Sequence, residues 1–155
     1  MENIILVKTA ISCMASDGSI NQEELKTLHH CLGEIGKDAL QSEIELFNAT
    51  GKKYLKDFID SLSDYRNDND TILSILKIAV EIIKADNVID YKEICFFKLI
   101  VNALNLSEQF VLDNIDGIDE DWVEEDFLMT KGEAYNKFFS SYITPDFDLN
   151  LNNLQ

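Results

Sequence analysis

The sequence repeats one helical pattern at an offset of 69 residues, and this repeat limits the folds that the chain can adopt. Residues 4–36 and 73–105 each contain an apolar stripe, an acidic break and a second apolar stripe. In each stripe the apolar residues follow an i, i+3, i+7, i+10 spacing, which places them on one face of an α-helix. The paired residues are Ile4/Leu73, Val7/Leu76, Ile11/Val80 and Met14/Ile83 in the first stripe, and Leu25/Ile94, Leu28/Phe97, Leu32/Val101 and Ile35/Leu104 in the second. Each copy therefore predicts a helical hairpin.

Capping residues mark the start of the second helix in each copy. Asn21 and Asp90 suit the N-cap position, because their short polar side chains can accept hydrogen bonds from amides of the first turn. Glu24 and Glu93 lie three residues later, where a carboxylate can accept a hydrogen bond from the amide of the cap residue. Together with the apolar stripes, these residues predict helices over about residues 2–16, 21–35, 70–85 and 90–104.

The segments outside the two hairpins also have helical patterns. Each copy ends at a residue that suits the left-handed conformation after a helix, Gly36 in the first and Asn105 in the second. Residues 37–69 join the copies and contain two short apolar patterns separated by Gly51. Beyond the second copy, Ser107 suits the N-cap of a further helix. A last amphipathic helix is indicated by the spacing of Tyr135, Phe138, Phe139 and Tyr142.

These patterns predict an all-α fold, a bundle of about seven helices with few breakers, since the chain has one Pro and six Gly. We expect the two duplicated hairpins to pack around a pseudo-twofold axis, because each hairpin alone would expose an apolar face. The duplicated core spans residues 1–106, an acidic and aromatic helical extension spans residues 107–145, and residues 146–155 form a polar tail.

The net charge of -16 excludes some partners. A nucleic-acid backbone or an anionic membrane surface would repel such a chain, whereas cations and basic proteins would not. The apolar run near the N-terminus lacks the basic flank of a signal peptide, and the apolar stretch 72–83 is interrupted by charges and too short to span a bilayer. Three cysteines form neither a disulfide framework nor a zinc motif. We therefore predict a cytoplasmic protein with neither a nucleic-acid nor a membrane partner.

The candidate site consists of carboxylates at the bends of the two hairpins: Asp17, Glu24, Asp86, Asp90 and Glu93. One interpretation assigns them to caps and solvated turns. In the other, the two bends converge and the carboxylates bind a hard divalent cation, calcium, magnesium or manganese, since neither His nor Cys contributes. The first bend is not an EF-hand loop, because apolar residues stand where that loop needs its first two oxygen ligands. No nucleophile, general base or Gly-rich phosphate loop accompanies the carboxylates, so we do not expect an enzyme.

A second candidate is the acidic run from Asp113 to Asp126, which contains no basic residue. Its carboxylates are interleaved with the large apolar residues Trp122 and Phe127. The run is a solvated face, or it docks through these two side chains, either on its own bundle or on a basic protein partner.

The first bend reads Ala-Ser-Asp-Gly-Ser-Ile-Asn-Gln-Glu-Glu and resembles the TerB tellurite-resistance family, with matching motifs over about residues 4–106. The resemblance implies an α-helical bundle, of a kind also found at the front of membrane-anchored DnaJ-type co-chaperones. It further implies a non-enzymatic role in metal or oxyanion stress and a cation site at Asp17, Glu24, Asp86 and Glu93. The second copy departs from the family pattern, with Asn87 for the usual Gly and Lys84 nearby. A metal-free interaction scaffold that uses the acidic extension is the alternative.

Overall fold

The computed structural model describes residues 2–16, 37–85, 89–123 and 131–143, and within these ranges the chain is helical without any strand. The seven α-helices of these ranges are α1 (Glu2–Ala15), α2 (Lys37–Thr50), α3 (Lys52–Ser61), α4 (Asn69–Ile83), α5 (Tyr91–Ala103), α6 (Glu108–Asn114) and α7 (Lys131–Ser140). Two short 3-10 helices, Leu62–Tyr65 and Glu120–Trp122, lie between them. The all-α prediction is confirmed. The helix predicted over residues 21–35 lies outside the described ranges.

Local signals end the helices where the sequence indicates. Gly51 separates α2 from α3 with a φ of 58°, a conformation that glycine adopts without strain. Asn105 follows α5 with the same φ of 58°. Its amide donates to the carbonyl of Asn102 at 3.0 Å, and the amide of Leu106 donates to the carbonyl of Val101 at 3.1 Å. This pair of bonds is a Schellman motif, which satisfies carbonyls that the end of a helix leaves open.

Helix α1 lies in the centre of the described fold. From Ala10 to Ser16 its side chains are buried, and its packing against α4 is the most extensive between any two described elements. Helices α2, α3 and α5 also contact it. Two buried hydroxyls are satisfied locally: that of Thr9 donates to the Ile5 carbonyl at 2.7 Å, and that of Ser16, just after the helix, donates to the Cys13 carbonyl at 2.8 Å. The Ser12 hydroxyl is also buried and has no hydrogen-bond partner among the described residues. The buried apolar side chains of α1 therefore form the base on which the other helices pack.

A half-buried polar contact fixes α2 and α3 against α1. The Lys8 ammonium lies 2.6 Å from Oε1 of Glu43, and the Tyr54 hydroxyl donates to the same oxygen at 3.0 Å. The lysine nitrogen also lies 5.1 Å from the centre of the Tyr54 ring. Burial raises the pKa of the Tyr54 hydroxyl, and the neighbouring Glu43 carboxylate raises it further, so the tyrosine remains a neutral donor.

We expect Glu43→Gln to lower the free energy of unfolding by about 1–3 kcal/mol, because it leaves a partly buried lysine without its counter-charge. The matched control is Asp57→Asn. Asp57 pairs with Lys53 at the same 2.6 Å, but both side chains of that pair are more than 60% exposed, so the change should cost about 0.5 kcal/mol or less. Urea unfolding of both variants gives the comparison. Equal losses would show that burial does not strengthen the Lys8–Glu43 pair.

The cap of α4 generates a prediction about the pKa of an aspartate. The Asp68 carboxylate accepts hydrogen bonds from the hydroxyl of Thr71 at 2.7 Å and from its amide at 3.2 Å. These bonds, the hydroxyl bond first, hold the pKa of Asp68 below its ordinary value. Because the folded-state pKa is lowered, the stabilisation is present above the pKa of the unfolded chain and is lost as the pH falls through the folded-state pKa.

We therefore expect Thr71→Val to raise the pKa of Asp68 toward its ordinary value, as followed by NMR titration of the carboxyl carbon. Thr50→Val is the control, since the Thr50 hydroxyl bonds to the Leu46 carbonyl within α2 and does not contact Asp68. If the pKa of Asp68 is unchanged in Thr71→Val, the Thr71 hydroxyl is not the main cause of its lowering.

Candidate functional site

The second bend contains a complete capping box at the start of α5. Oδ1 of Asp90 accepts a hydrogen bond from the Lys92 amide at 2.8 Å, and Oε1 of Glu93 accepts one from the Asp90 amide at 3.0 Å. These reciprocal bonds satisfy amides that the first turn of a helix leaves without partners. The capping role predicted for Asp90 and Glu93 is confirmed.

The two carboxylates of this box differ in burial. Asp90 is exposed, whereas Glu93 is only 3% exposed and packs among the core residues of α5. Burial of a carboxylate is costly unless hydrogen bonds or nearby positive charge compensate it. At Glu93 the compensation includes the Asp90 amide and the N-terminal end of the α5 dipole, which favours negative charge. The bend thus holds one carboxylate inside the fold and presents another to solvent.

The structure describes only part of the predicted cation site. Asp90 and Glu93 lie together at the start of α5, while Asp17, Glu24 and Asp86 fall outside the described residues. Within residues 2–16, 37–85, 89–123 and 131–143, no three His, Cys, Asp or Glu side chains are arranged to hold a metal ion. The convergence of the two bends therefore stays a prediction.

Trp122 lies inside the bundle and does not form an exposed anchor for a partner. Its side chain is 3% exposed, and its ring meets the Phe97 ring edge to face at a centroid distance of 5.4 Å. Covering Phe97 buries two large aromatic surfaces, which favours this inward position over contact with water. Of the two docking alternatives for Trp122, the internal one matches its position in the structure, and its assignment as a partner-binding residue stays a prediction. Phe127 lies outside the described residues.

Helix α7 packs on the same helix, α5, that Trp122 contacts. There the Phe138 ring lies 5.4 Å from the Phe96 ring. Of the predicted aromatic stripe, Phe138, Phe139 and Tyr142 are buried and Tyr135 is half-buried, and Tyr142 lies two residues beyond the end of α7. The Tyr142 hydroxyl donates to the Ala15 carbonyl at 2.8 Å, across 127 residues of chain. The sequence pattern predicts that this ring is buried but does not indicate the partner of its hydroxyl.

A second long-range contact joins the acidic run to the end of α4. The Lys84 ammonium donates to the Gly117 carbonyl at 2.7 Å. Gly117 has a φ of 84°, and a Cβ at this position would lie 2.9 Å from the lysine nitrogen. In the sequence, Gly117 is a glycine within an acidic run and Lys84 is a lysine before the second bend. Neither feature predicts that the two residues are in contact.

No family model, curated protein or solved structure matches this chain. The resemblance to the TerB family therefore stays a prediction. Among the described residues, no single helix has both the length and the apolar character needed to cross a bilayer. One pair, Tyr91–Ala103 with Glu108–Asn114, meets that test only when joined across a bend of 109°.

We expect Trp122→Ala to lower the free energy of unfolding by about 3–5 kcal/mol, because it leaves a cavity against Phe97. Ile143→Ala is the control, since Ile143 is 72% exposed and its truncation should cost about 0.5 kcal/mol or less. Trp122 is the single tryptophan of the chain, so native fluorescence should be blue-shifted and should move to longer wavelength on unfolding. A red-shifted native spectrum and a neutral Trp122→Ala would contradict the buried position.

Proposed function

We propose that this chain is a non-enzymatic, TerB-like binding module that holds a divalent cation between the bends of its two helical hairpins. The observation that carries the proposal is the burial of Glu93 at the second bend, 3% exposed in a chain with a net charge of -16. A cation beside such a carboxylate would offset both its desolvation and its repulsion by neighbouring acidic residues.

The sequence repeat supports a matching contribution from the first bend. Glu24 occupies the same repeat position as Glu93, and each bend begins with an aspartate, Asp17 in one copy and Asp86 in the other. In this proposal the ligands are Asp17, Glu24, Asp86 and Glu93, and the supporting residues are Asp90 and Asn21. Calcium, magnesium or manganese fit the all-oxygen set better than zinc does.

In this proposal the two hairpins pack around a pseudo-twofold axis. It is supported by the burial of paired stripe residues in α1 and α4, the two helices that pack most extensively. Val7 and its counterpart Leu76 are both fully buried, and so are Met14 and Ile83. A twofold axis between α1 and α4 would give each residue of the first repeat and its partner in the second repeat the same degree of burial.

A cation that binds only the folded protein would link its concentration to stability. At a free ion concentration 100 times Kd, the folded state gains about 2.7 kcal/mol. Such a module would report an ion level, in agreement with the metal or oxyanion stress role that the family resemblance implies. In this proposal the protein acts in the cytoplasm.

The second candidate function is a metal-free scaffold for a basic protein partner. It is favoured by five exposed carboxylates within residues 113–121: Asp113, Asp116, Asp119, Glu120 and Asp121. With Trp122 turned into the core, such a partner would be recognised through charge, and binding would weaken steeply as salt is added.

Calorimetric titration of chelator-treated protein with calcium, magnesium and manganese tests the cation site. We expect saturable binding in the parent and its loss in the double variant Asp17→Asn/Asp86→Asn. The matched control, Asp119→Asn/Asp121→Asn, removes the same charge from the acidic run and should bind as the parent does.

Two results would count against the site. Absence of binding heat and of any rise in melting temperature with all three ions would favour the scaffold. Equal weakening in the two double variants would show that overall charge, and not the bends, attracts the ion.

A further inference from the structure

The extension after the second repeat contacts the two repeats at corresponding positions. Tyr142 donates its hydroxyl hydrogen to the Ala15 carbonyl at 2.8 Å, and Lys84 donates to the Gly117 carbonyl at 2.7 Å. Ala15 and Lys84 are equivalent in the 69-residue repeat, and each stands two residues before the first aspartate of its bend. One extension is therefore attached at the start of both bends.

The attachment to the first repeat is held in place by aromatic packing. The Tyr142 ring stacks on Phe138 at a centroid distance of 5.8 Å and an interplanar angle of 26°. Phe138 in turn lies 5.4 Å from Phe96 on α5. Tyr142 is 8% exposed, so its hydroxyl bond to the Ala15 carbonyl is made inside the fold, where water does not compete for the donor.

The attachment to the second repeat is also fixed on both sides. Ile115 and Trp122 flank Gly117 and are 4% and 3% exposed, so the loop between them is anchored at two points. Gly117 is favoured there because of its φ of 84°, which residues with a side chain rarely adopt. The loop therefore presents its carbonyl to Lys84 in a defined position, and this hydrogen bond, unlike that of Tyr142, is exposed to solvent.

The two attachments share their support on α5. Trp122 packs on Phe97, and Phe138 packs on the adjacent residue Phe96. A shift of α5 at these neighbouring phenylalanines would move the loop and α7 together. Gly117, the partner of Lys84, and Tyr142, the partner of Ala15, would then move as well.

We propose that the two segments 115–123 and 131–143 act as a strap that fastens the end of α1 and the end of α4, and so sets the separation of Ala15 and Lys84, the positions from which the two bends continue. The consequence for ion affinity rests on the proposed function, because a shared cation requires the bends to stay close. The strap itself does not require an ion.

Hydrogen–deuterium exchange on the ion-free protein tests the strap. Tyr142→Phe keeps the ring and removes the bond to the Ala15 carbonyl. We expect exchange to become about tenfold faster at the end of α1, residues 12–16, and also at the end of α4, residues 80–85. The reciprocal variant, Lys84→Met, should raise exchange at residues 12–16 as well. Tyr135→Phe is the control, since it removes a hydroxyl from α7, which directly precedes Tyr142, and should leave both ends unchanged.

Faster exchange in Tyr142→Phe that is confined to residues 12–16, or an absence of change at both ends, would overturn the strap. Faster exchange at both ends in Tyr135→Phe would also overturn it, because the effect would then belong to α7 as a whole. In the calorimetric titration, Tyr142→Phe should raise the Kd of the ion severalfold. If the parent binds no ion, the proposed function fails, while the exchange measurement still decides the strap.

Discussion

Burial of α1 against α4 is the interaction on which the rest of the described structure depends. The side chains of α1 from Ala10 onward are out of water, and each fully buried aliphatic side chain contributes about 1.5–3 kcal/mol. A helix that is covered on every side near its end cannot lie at the surface, so the other helices must surround it. The hydroxyls of Thr9 and Ser16 bond to carbonyls of α1, which lowers the cost of burying them, whereas the buried Ser12 hydroxyl has no partner among the described residues.

Helix α5 connects the second bend to the extension. Glu93 lies in its first turn and completes the capping box, while Phe96 and Phe97 in the next turn support α7 and Trp122. The side chains that cap the bend and those that seat the extension are therefore less than two turns apart on one helix. A change in the position of α5 would therefore move both the second bend and the extension.

Four cations in the described part of this acidic chain join elements that are distant in sequence. Lys8 pairs with Glu43 across α1 and α2, and Lys84 bonds to the Gly117 carbonyl. Arg66 donates to the Ala103 carbonyl at 3.0 Å, at the negative end of the α5 dipole. Lys56 lies 5.5 Å from the centre of the Phe139 ring and so links α3 to α7. These contacts combine charge with a fixed geometry, whereas the acidic residues of the run at 113–121 stay in solvent.

Most of the described helices and their ends could be predicted from the sequence, because periodicity, capping and turn conformation are local properties. The helix predicted at 90–104 is Tyr91–Ala103, Asp90 and Glu93 form their box, and Asn105 takes its left-handed conformation. Which surfaces meet depends on the packing of distant helices and could not be predicted from local patterns. An apolar stripe indicates that a face is buried but not what covers it, so the position of Trp122 on Phe97 and the bond from Tyr142 to Ala15 depended on how distant helices pack. The burial of Glu93 follows for the same reason: the cap fixes where its carboxylate bonds, and the packing of α5 removes it from water.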